Sequence, residues 1–356
     1  MNQKRLYHID GIKGILCFFI MFGHFWNMTR WSNPESPLVN KVTTLINNSI
    51  LGETLFSATF WMYAFLLISG YLLSGSKVNN LLDLGVKIVK RYLRFFLLIF
   101  ASCVFIFGIY KIIGFHNAKT AEFFSNGWFQ SYYTWEFGLR SLLTETVNAL
   151  FFSGCNFNAP FWVMSDILFS SVIIYICKYI EKYTKKASWV CLAASAFFSR
   201  PIISACLAGY ILGNYKEQAK KWPVIGMFFV GSICAGLMHR EYLFYILLYC
   251  FVLALVDRLE CVQKFFGMKF FRFTGQISFG VYAFHWPIIC SVGSLALIWG
   301  LRKGLGGMVA YALALVVSVV AVTVISAVYY FVIEKQLDKL LKKIKASPIG
   351  VKKALH

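Results

Sequence analysis

Charged side chains are scarce in this chain of 356 residues: they make up 14% of it, against about 25% in a typical soluble domain. Acidic residues are the rarer kind, with 15 Asp and Glu against 35 Lys and Arg. Apolar residues take their place, since 59% of the chain is hydrophobic and 18% is aromatic. This balance excludes a soluble fold and predicts an integral membrane protein.

The sequence also lacks the spacings that bind metals or build disulfide frameworks. Its ten cysteines include no CxxC pair and lie mostly in apolar runs, and its six histidines form no HExxH spacing. We therefore predict no metal site. The net charge of +20 does not indicate a nucleic-acid partner, because the basic residues lie in short loops between apolar runs and no nucleic-acid module is present.

The apolar runs predict an all-α membrane protein of about ten transmembrane helices. They cover residues 11–28, 56–74, 93–113, 161–177, 188–199, 201–214, 224–238, 242–256, 277–299 and 308–333. The runs before and after Pro201 are short, so one broken helix is the alternative there. Ten spans with both termini in the cytoplasm place 25 of the 35 Lys and Arg inside, which agrees with the positive-inside rule. Residues 1–341 are then one membrane domain in the cell membrane, and residues 342–356 are a basic cytoplasmic tail.

Two stretches outside the spans have a distinctive composition. Residues 78–94 are basic and amphipathic, which predicts an interfacial helix on the cytoplasmic surface before the third span. Residues 114–160 form the longest outer segment and are rich in Phe, Trp and Tyr. These rings either stack on sugars or form an aromatic belt at the membrane interface.

The stretch from Ile9 to Met28, which contains the first apolar run, carries three ionisable side chains, although such groups are costly inside a bilayer. Lys13 and His24 are eleven positions apart. On a helix this leaves them about 20° apart around the axis and roughly 16 Å apart along it. Asp10 precedes Lys13 by one turn, where an ion pair can form. Such groups usually mark a functional site; the alternative is two interfacial charges that snorkel and one core histidine.

Six segments resemble, in the same order, the motifs of membrane acyltransferase family three. They are Ile9 to Gly14 with His24, Phe65 to Leu73, Arg91-Tyr92-Leu93-Arg94 (RxxR), Pro160-Phe161-Trp162, Ser278 to Pro287 (S-x-x-x-Y-x-x-H-x-P) and Glu334-Lys335. Members of that family transfer acyl groups, usually acetyl, to cell-surface glycans and related acceptors. Many also carry an extra hydrolase-like domain outside the membrane, which we do not expect here.

The resemblance implies acetyl-CoA as a cytoplasmic co-substrate and a hydroxyl of a cell-surface polysaccharide or glycolipid as acceptor. Arg91 and Arg94 are suited to the CoA phosphates, because guanidinium forks match phosphate oxygens. Contact with anionic lipid is the alternative. His24 is the candidate base or nucleophile, and Lys13 and Asp10 are assigned with it to the catalytic site.

Further residues are candidates for lining the same pocket: Ser69, Trp162, Ser165, Asp166, Tyr282 and His285. Ser165 and Asp166 are rare polar groups within an apolar run. Asp166 lies one position earlier than the glutamate that the family often has after its P-L-W segment. Tyr282 and His285 lie one turn apart, and packing is the alternative role for both.

Two other functional classes fit a basic chain with ten spans. A transporter or flippase for a lipid-linked glycan is one, and an accessory subunit of a polysaccharide-secretion complex is the other. A transporter more often shows repeated halves with paired broken helices, and no such repeat is evident in the sequence. An accessory subunit would not need Lys13 and His24 on one helix face. Consumption of acetyl-CoA distinguishes the acyltransferase from both.

Overall fold

The computed structural model describes residues 6–30 and 41–343, and every regular element in this part of the chain is helical. The all-α prediction is therefore confirmed. The first half contains α1 (Tyr7–Arg30), α2 (Lys41–Asn47), α3 (Ile50–Glu53), α4 (Ala58–Ser74), α5 (Leu81–Ile112), α6 (Asn117–Phe124), α7 (Gly127–Gln130), α8 (Leu139–Phe151) and α9 (Met164–Ile180). A 3₁₀ turn at Ala159–Val163 leads into α9.

The second half continues with apolar helices joined by short turns. These are α10 (Ala187–Phe197), α11 (Pro201–Asn214), α12 (Lys216–Ala219), α13 (Trp222–Leu237), α14 (Glu241–Arg258), α15 (Glu260–Phe266), α16 (Lys269–Ile288), α17 (Ser294–Arg302), α18 (Gly307–Tyr329) and α19 (Lys335–Lys343). A π-helical turn at Ile289–Gly293 joins α16 to α17, and a second one at Tyr330–Glu334 joins α18 to α19. The predicted domain boundary at residue 341 falls within α19, and residues 344–356 of the predicted tail lie outside the described residues.

Each of the ten predicted spans coincides with helices of the structure. By length and composition, five helical segments of the described chain could cross a membrane, or six if the bent pair α14 and α15 is one span. Four further apolar helices, α4, α10, α11 and α13, are shorter. The protein is thus a multi-pass membrane protein. Ten crossings with cytoplasmic termini stay a prediction.

The predicted interfacial helix at residues 78–94 is not a separate element. Asn80 caps a single helix, α5, which runs for 32 residues from Leu81 to Ile112. At about 1.5 Å per residue such a helix is roughly 48 Å long, against a hydrocarbon core of about 30 Å. No helix break is needed at the membrane surface, because the backbone hydrogen bonds lie within the helix. The basic first turns of α5 simply extend beyond its apolar part.

The helices α10 and α11 are two elements that pack as an antiparallel pair. Ser199, with φ of 50°, turns the chain between them. Trp189 near the start of α10 then lies 6.2 Å from Tyr215, just after α11, measured between ring centroids. Glu181 before α10 also accepts a hydrogen bond from Tyr210 near the end of α11, at 2.6 Å. These contacts favour two spans over a single helix broken at Pro201.

Glycines let α1 and α16 approach until their backbones touch. A Cβ on Gly14 would lie 2.4 Å from the backbone nitrogen of Gly275, and one on Gly275 would lie 2.3 Å from the carbonyl oxygen of Asp10. Ten residues after each of these glycines, His24 and His285 are again neighbours, so the two helices run parallel. The small residues of the first-helix motif therefore set the distance between the helices that carry both histidines.

We expect Gly14→Ala to destabilise the protein, because the added methyl group meets backbone atoms that cannot move aside. Overpacking of this kind costs about 1–3 kcal/mol. Gly108→Ala in α5 is the matched control, since nothing lies within 4 Å of a Cβ there and alanine favours a helix interior. Thermal unfolding in detergent should show a lower midpoint for Gly14→Ala and an equal or higher one for Gly108→Ala. Equal midpoints for Gly14→Ala and the wild type would contradict this account.

Residues 114–160, here called the aromatic cap, pack over the C-terminal end of α1. The Asn126 side-chain amide donates to the carbonyl oxygens of Asn27 and Met28, at 3.0 and 3.1 Å. This satisfies carbonyls that the end of α1 leaves free. Within the cap, Phe115 and Tyr133 stack with centroids 3.7 Å apart, and Phe129 is buried. Many of its rings thus serve to pack the cap itself.

Candidate active site

A cavity of about 480 Å³ lies beside the N-terminal half of α1. Basic side chains lining it are Lys13, Lys87, Lys90, Arg91, Arg94 and Lys342, and the acidic ones are Asp10, Glu334 and Asp338. Ser69, Tyr175, Gln276, Phe279 and Tyr330 contribute further polar and aromatic surface. The cavity therefore brings together five residues that the sequence singled out, namely Asp10, Lys13, Ser69, Arg91 and Arg94. An excess of cations makes it suited to an anionic ligand.

Lys13 is buried, and aromatic rings surround its ammonium group. The Lys13 Nζ atom lies 3.6 Å from the ring centroid of Phe279 on α16 and 5.2 Å from that of Phe65 on α4. A cation over ring faces is stabilised by the ring quadrupoles, and more so when water is excluded. Asp10 lines the same cavity one turn earlier. Lys13 thus places a desolvated positive charge at the inner end of the cavity.

Arg91 and Arg94 lie one turn apart on α5, and both are half-buried in the cavity wall. The Arg91 Nε–H donates to Ser171 Oγ at 3.0 Å, and its guanidinium carbon lies 4.8 Å from the ring centroid of Phe95. Arg94 forms an ion pair with Asp338 of α19. Neither contact uses all five donors of a guanidinium group, so both arginines keep donors for a ligand in the cavity.

His24 pairs with a second histidine at the far end of α1. Its Nδ1 atom lies 3.2 Å from Nε2 of His285 and 3.0 Å from the carbonyl oxygen of Ile20. His285 is fully buried on α16, whereas His24 is partly exposed. The Nδ1 atom of His285 lies 3.1 Å from the Val281 carbonyl oxygen and 2.9 Å from that of Tyr282.

Packed side chains separate the cavity from the histidine pair. Cys17 and Ile20 lie between Lys13 and His24 on the shared face of α1, and both are buried. On α1, the lining of the cavity ends at Lys13. The cavity and the histidine pair are therefore two separate features on one face of α1.

The segment before α9 is tied to α16 next to the histidines. Because Pro287 has no N–H, the carbonyl group of Ala283 four residues earlier lacks its helical donor. Ser102 and Asn158 supply donors instead, at 3.0 and 2.7 Å from that oxygen. The Tyr282 hydroxyl in turn donates to the carbonyl oxygen of Pro160 at 2.5 Å. Tyr282 thus has a packing and anchoring role in the structure.

Of the six predicted pocket residues, only Ser69 lines the cavity. Tyr282 and His285 lie with His24 instead, and the other three lie elsewhere. Trp162 is 45% exposed. Ser165 is buried, with its hydroxyl 2.5 Å from that of Ser153. Asp166 is partly exposed in the first turn of α9. The structure does not bring these three residues together with Lys13, and their predicted role has no structural support here.

The structure also places next to the histidines one residue that the sequence interpretation did not single out, Trp286. Trp286 is fully buried next to His285, and its ring centroid lies 5.8 Å from that of His24. Trp128 and Tyr132 of the aromatic cap pack against it, with centroids 5.2 and 5.0 Å away. The only hint in the sequence that Trp286 lies at the site is its position directly after His285.

Within the described residues, no group of three or more His, Cys, Asp or Glu side chains could hold a metal ion.

Fold and site together define the class: a multi-pass, all-helical membrane protein with a cationic cavity and a histidine pair enclosed between its helices. The model of a family described as an acyltransferase domain matches residues 6–329, so the chain belongs to the acyltransferase 3 family. The resemblance in the sequence motifs is thereby confirmed, and membership implies acyl transfer between a donor and an acceptor. No curated protein and no solved structure gives a significant match.

Proposed function

We propose that this protein transfers an acyl group, which we expect to be acetyl, from cytoplasmic acyl-CoA to a hydroxyl of a polysaccharide or lipid-linked sugar outside the cell membrane. The observation that carries this proposal is the layout of α1. Lys13 lines a cationic cavity near one end, and His24 lies on the same face beneath the aromatic cap. A donor and an acceptor can thus approach one helix from opposite ends.

The cavity fits the anionic part of the donor. CoA carries several phosphate groups, and Arg91 and Arg94 offer planar donor forks that match phosphate oxygens. Lys87 and Lys90 add charge at the same wall. Lys13, at the inner end, stabilises the negative charge of the phosphate to which the uncharged pantetheine arm is joined, and Asp10 balances the local charge. Anionic lipid is the competing ligand for Arg91 and Arg94.

The chemistry requires a base for the acceptor hydroxyl. His24 takes the hydroxyl proton, and the alkoxide attacks the thioester carbonyl carbon. Collapse of the tetrahedral intermediate breaks the C–S bond, and the departing CoA thiolate takes the proton from the His24 imidazolium. An acyl-histidine intermediate is the alternative course at the same residue. Both courses leave an acylated sugar and free CoA.

The proposal includes ten crossings with both termini in the cytoplasm. Parallel packing of α1 and α16 supports it, because the first and ninth of ten spans must run in the same direction. The antiparallel pair α10 and α11 supports it as well, since consecutive spans must reverse direction. The donor cavity then opens towards the cytoplasm and the aromatic cap lies outside.

Cysteine labelling can test this topology. We expect cysteines introduced one at a time at the exposed positions Lys119 and Lys303 to react with an impermeant maleimide added to intact cells, because both positions would lie outside. A cysteine at Glu217, whose side chain is 79% exposed, should react only after the cells are opened. The parent protein is the control, since Cys234 and Cys261 are also exposed. Labelling of the Glu217 position in intact cells would contradict the topology.

The function is tested by mass analysis of surface glycans from cells with and without this protein. An acyltransferase should add ester-linked acyl groups that alkali removes, and purified protein should release free CoA when acetyl-CoA and those glycans are supplied. A transporter or an accessory subunit would instead change the amount of surface glycan without consuming acetyl-CoA. Unchanged acylation together with unconsumed acetyl-CoA would overturn the proposal.

A further inference from the structure

The contacts of the two histidines determine which nitrogen of each ring carries a proton. His285 Nδ1 lies within 3.1 Å of two carbonyl oxygens, those of Val281 and Tyr282. Carbonyl oxygens only accept hydrogen bonds, so Nδ1 of His285 must be the protonated nitrogen. In a neutral imidazole the other nitrogen then holds a lone pair. The Nε2 atom of His285 is therefore an acceptor.

The same reasoning applies to His24. Its Nδ1 atom faces two acceptors, the carbonyl oxygen of Ile20 at 3.0 Å and Nε2 of His285 at 3.2 Å. Nδ1 of His24 must therefore carry the proton and share it between them. The Nε2 atom of His24 is left with a lone pair, on the side of the ring away from His285. This is the tautomer that a general base needs at Nε2.

We propose that His285 is a positioning residue for acyl transfer, a role that rests on the proposed function. It keeps His24 in the Nδ1–H tautomer, aims the bare Nε2 atom at the acceptor hydroxyl, and accepts the Nδ1–H bond of the imidazolium that forms. His285 does not contact the substrate, because its ring is fully buried and both its nitrogens already have partners.

The step balances without any further reactant. The proton of the acceptor hydroxyl moves to Nε2 of His24, and later leaves the same nitrogen with the CoA thiolate. Throughout, the Nδ1 proton stays on His24, and Nδ1 of His285 keeps its own proton, which it donates to the carbonyl oxygens of Val281 and Tyr282. In catalytic triads a carboxylate does this orienting work. Here a neutral histidine, held by the backbone of α16, takes that place within an apolar bundle.

Two amide substitutions of His285 can show whether it orients His24 or only stabilises the fold. The amide of glutamine reaches as far as Nε2 of histidine, so His285→Gln keeps an oxygen that accepts from His24. The amide of asparagine reaches only as far as Nδ1, so His285→Asn keeps the bonds to Val281 and Tyr282 but cannot reach His24. We expect His285→Asn to lower kcat by about 10–100-fold, which is the loss typical when a partner that orients a metal-bound histidine is removed. His285→Gln should retain most of the rate, and KM for acetyl-CoA should change in neither.

Equal kcat values for the Gln and Asn variants would overturn the role of His285, and so would a wild-type kcat for His285→Asn. A wild-type protein that does not consume acetyl-CoA would instead refute the proposed function, so the two failures are distinguishable. If the variants do not fold, ¹⁵N NMR of histidine-labelled wild-type protein in detergent still decides, with the His24 signals assigned by their loss in His24→Ala. The account predicts an unprotonated Nε2 in both rings. A proton on Nε2 of His24 would overturn it.

Discussion

His24→Ala should lose roughly 10²–10⁴-fold in the rate of acyl transfer, which is the contribution typical of a general acid–base group. The reason is that the acceptor hydroxyl then has no base, and no other described side chain offers a lone pair at the same place. We expect no substitution by His285, because its ring is fully buried and its Nε2 atom faces the ring of His24 from a distance of 3.2 Å. A rate assay with labelled acetyl-CoA on purified protein measures the loss.

Two controls make this loss specific to the chemistry. The His24→Ala protein should bind acetyl-CoA with the wild-type Kd, because we propose that Arg91 and Arg94, at the other end of α1, bind the phosphates. His116→Ala, which changes a partly exposed histidine in the aromatic cap, should leave the rate unchanged. A well-folded His24→Ala protein that transfers acyl groups at near the wild-type rate would contradict the assignment.

The double substitution Arg91→Ala/Arg94→Ala should weaken acetyl-CoA binding by about 10² to 10⁴-fold. Each hydrogen bond to a charged group contributes about 1.5–3 kcal/mol, and each 1.4 kcal/mol corresponds to a factor of ten in Kd. We expect the lower part of this range, since Arg94 must loosen its ion pair with Asp338 to bind a phosphate. Calorimetry of the purified protein in detergent measures the Kd.

The matched control removes two basic residues that do not line the cavity. Lys264→Ala/Lys269→Ala lowers the net charge by the same amount at exposed positions. Its Kd for acetyl-CoA should stay within a small factor of the wild-type value, because exposed charges at a distance are screened by salt. An unchanged Kd in the double arginine variant would assign Arg91 and Arg94 to lipid contact instead.

The apolar runs and the distribution of charge were sufficient to predict where most of the helices lie. All ten apolar runs are helices, and the separate helices on either side of Pro201 agree with the preferred interpretation. The prediction of a separate interfacial helix at residues 78–94 was wrong. It rested on the basic, amphipathic composition of that segment, whereas the helix α5 runs without a break from Leu81 to Ile112. Sequence hydropathy reports where apolar surface stops, and a helix can continue past that point.

In the site, the sequence predicted which residues lie together on one helix, but not which residues meet between two helices. Lys13 and His24 share a face because both lie on one helix, and Arg91 and Arg94 share a turn. The pairing of His24 with His285 joins residues 261 positions apart. It depends on how closely Gly14 and Gly275 let two helices approach, which no local pattern encodes. For the same reason, Trp162 and Asp166 could not be placed from their motif alone.

Vectorial transfer in sealed membrane vesicles tests the central claim most directly. Acetyl-CoA labelled in its acetyl group is supplied to the medium of inside-out and right-side-out vesicles that contain the glycan. The account predicts labelled glycan in inside-out vesicles, where the cytoplasmic face meets the medium, and none in right-side-out vesicles or with His24→Ala. Equal labelling in both orientations, or labelling by His24→Ala at the wild-type rate, would contradict it.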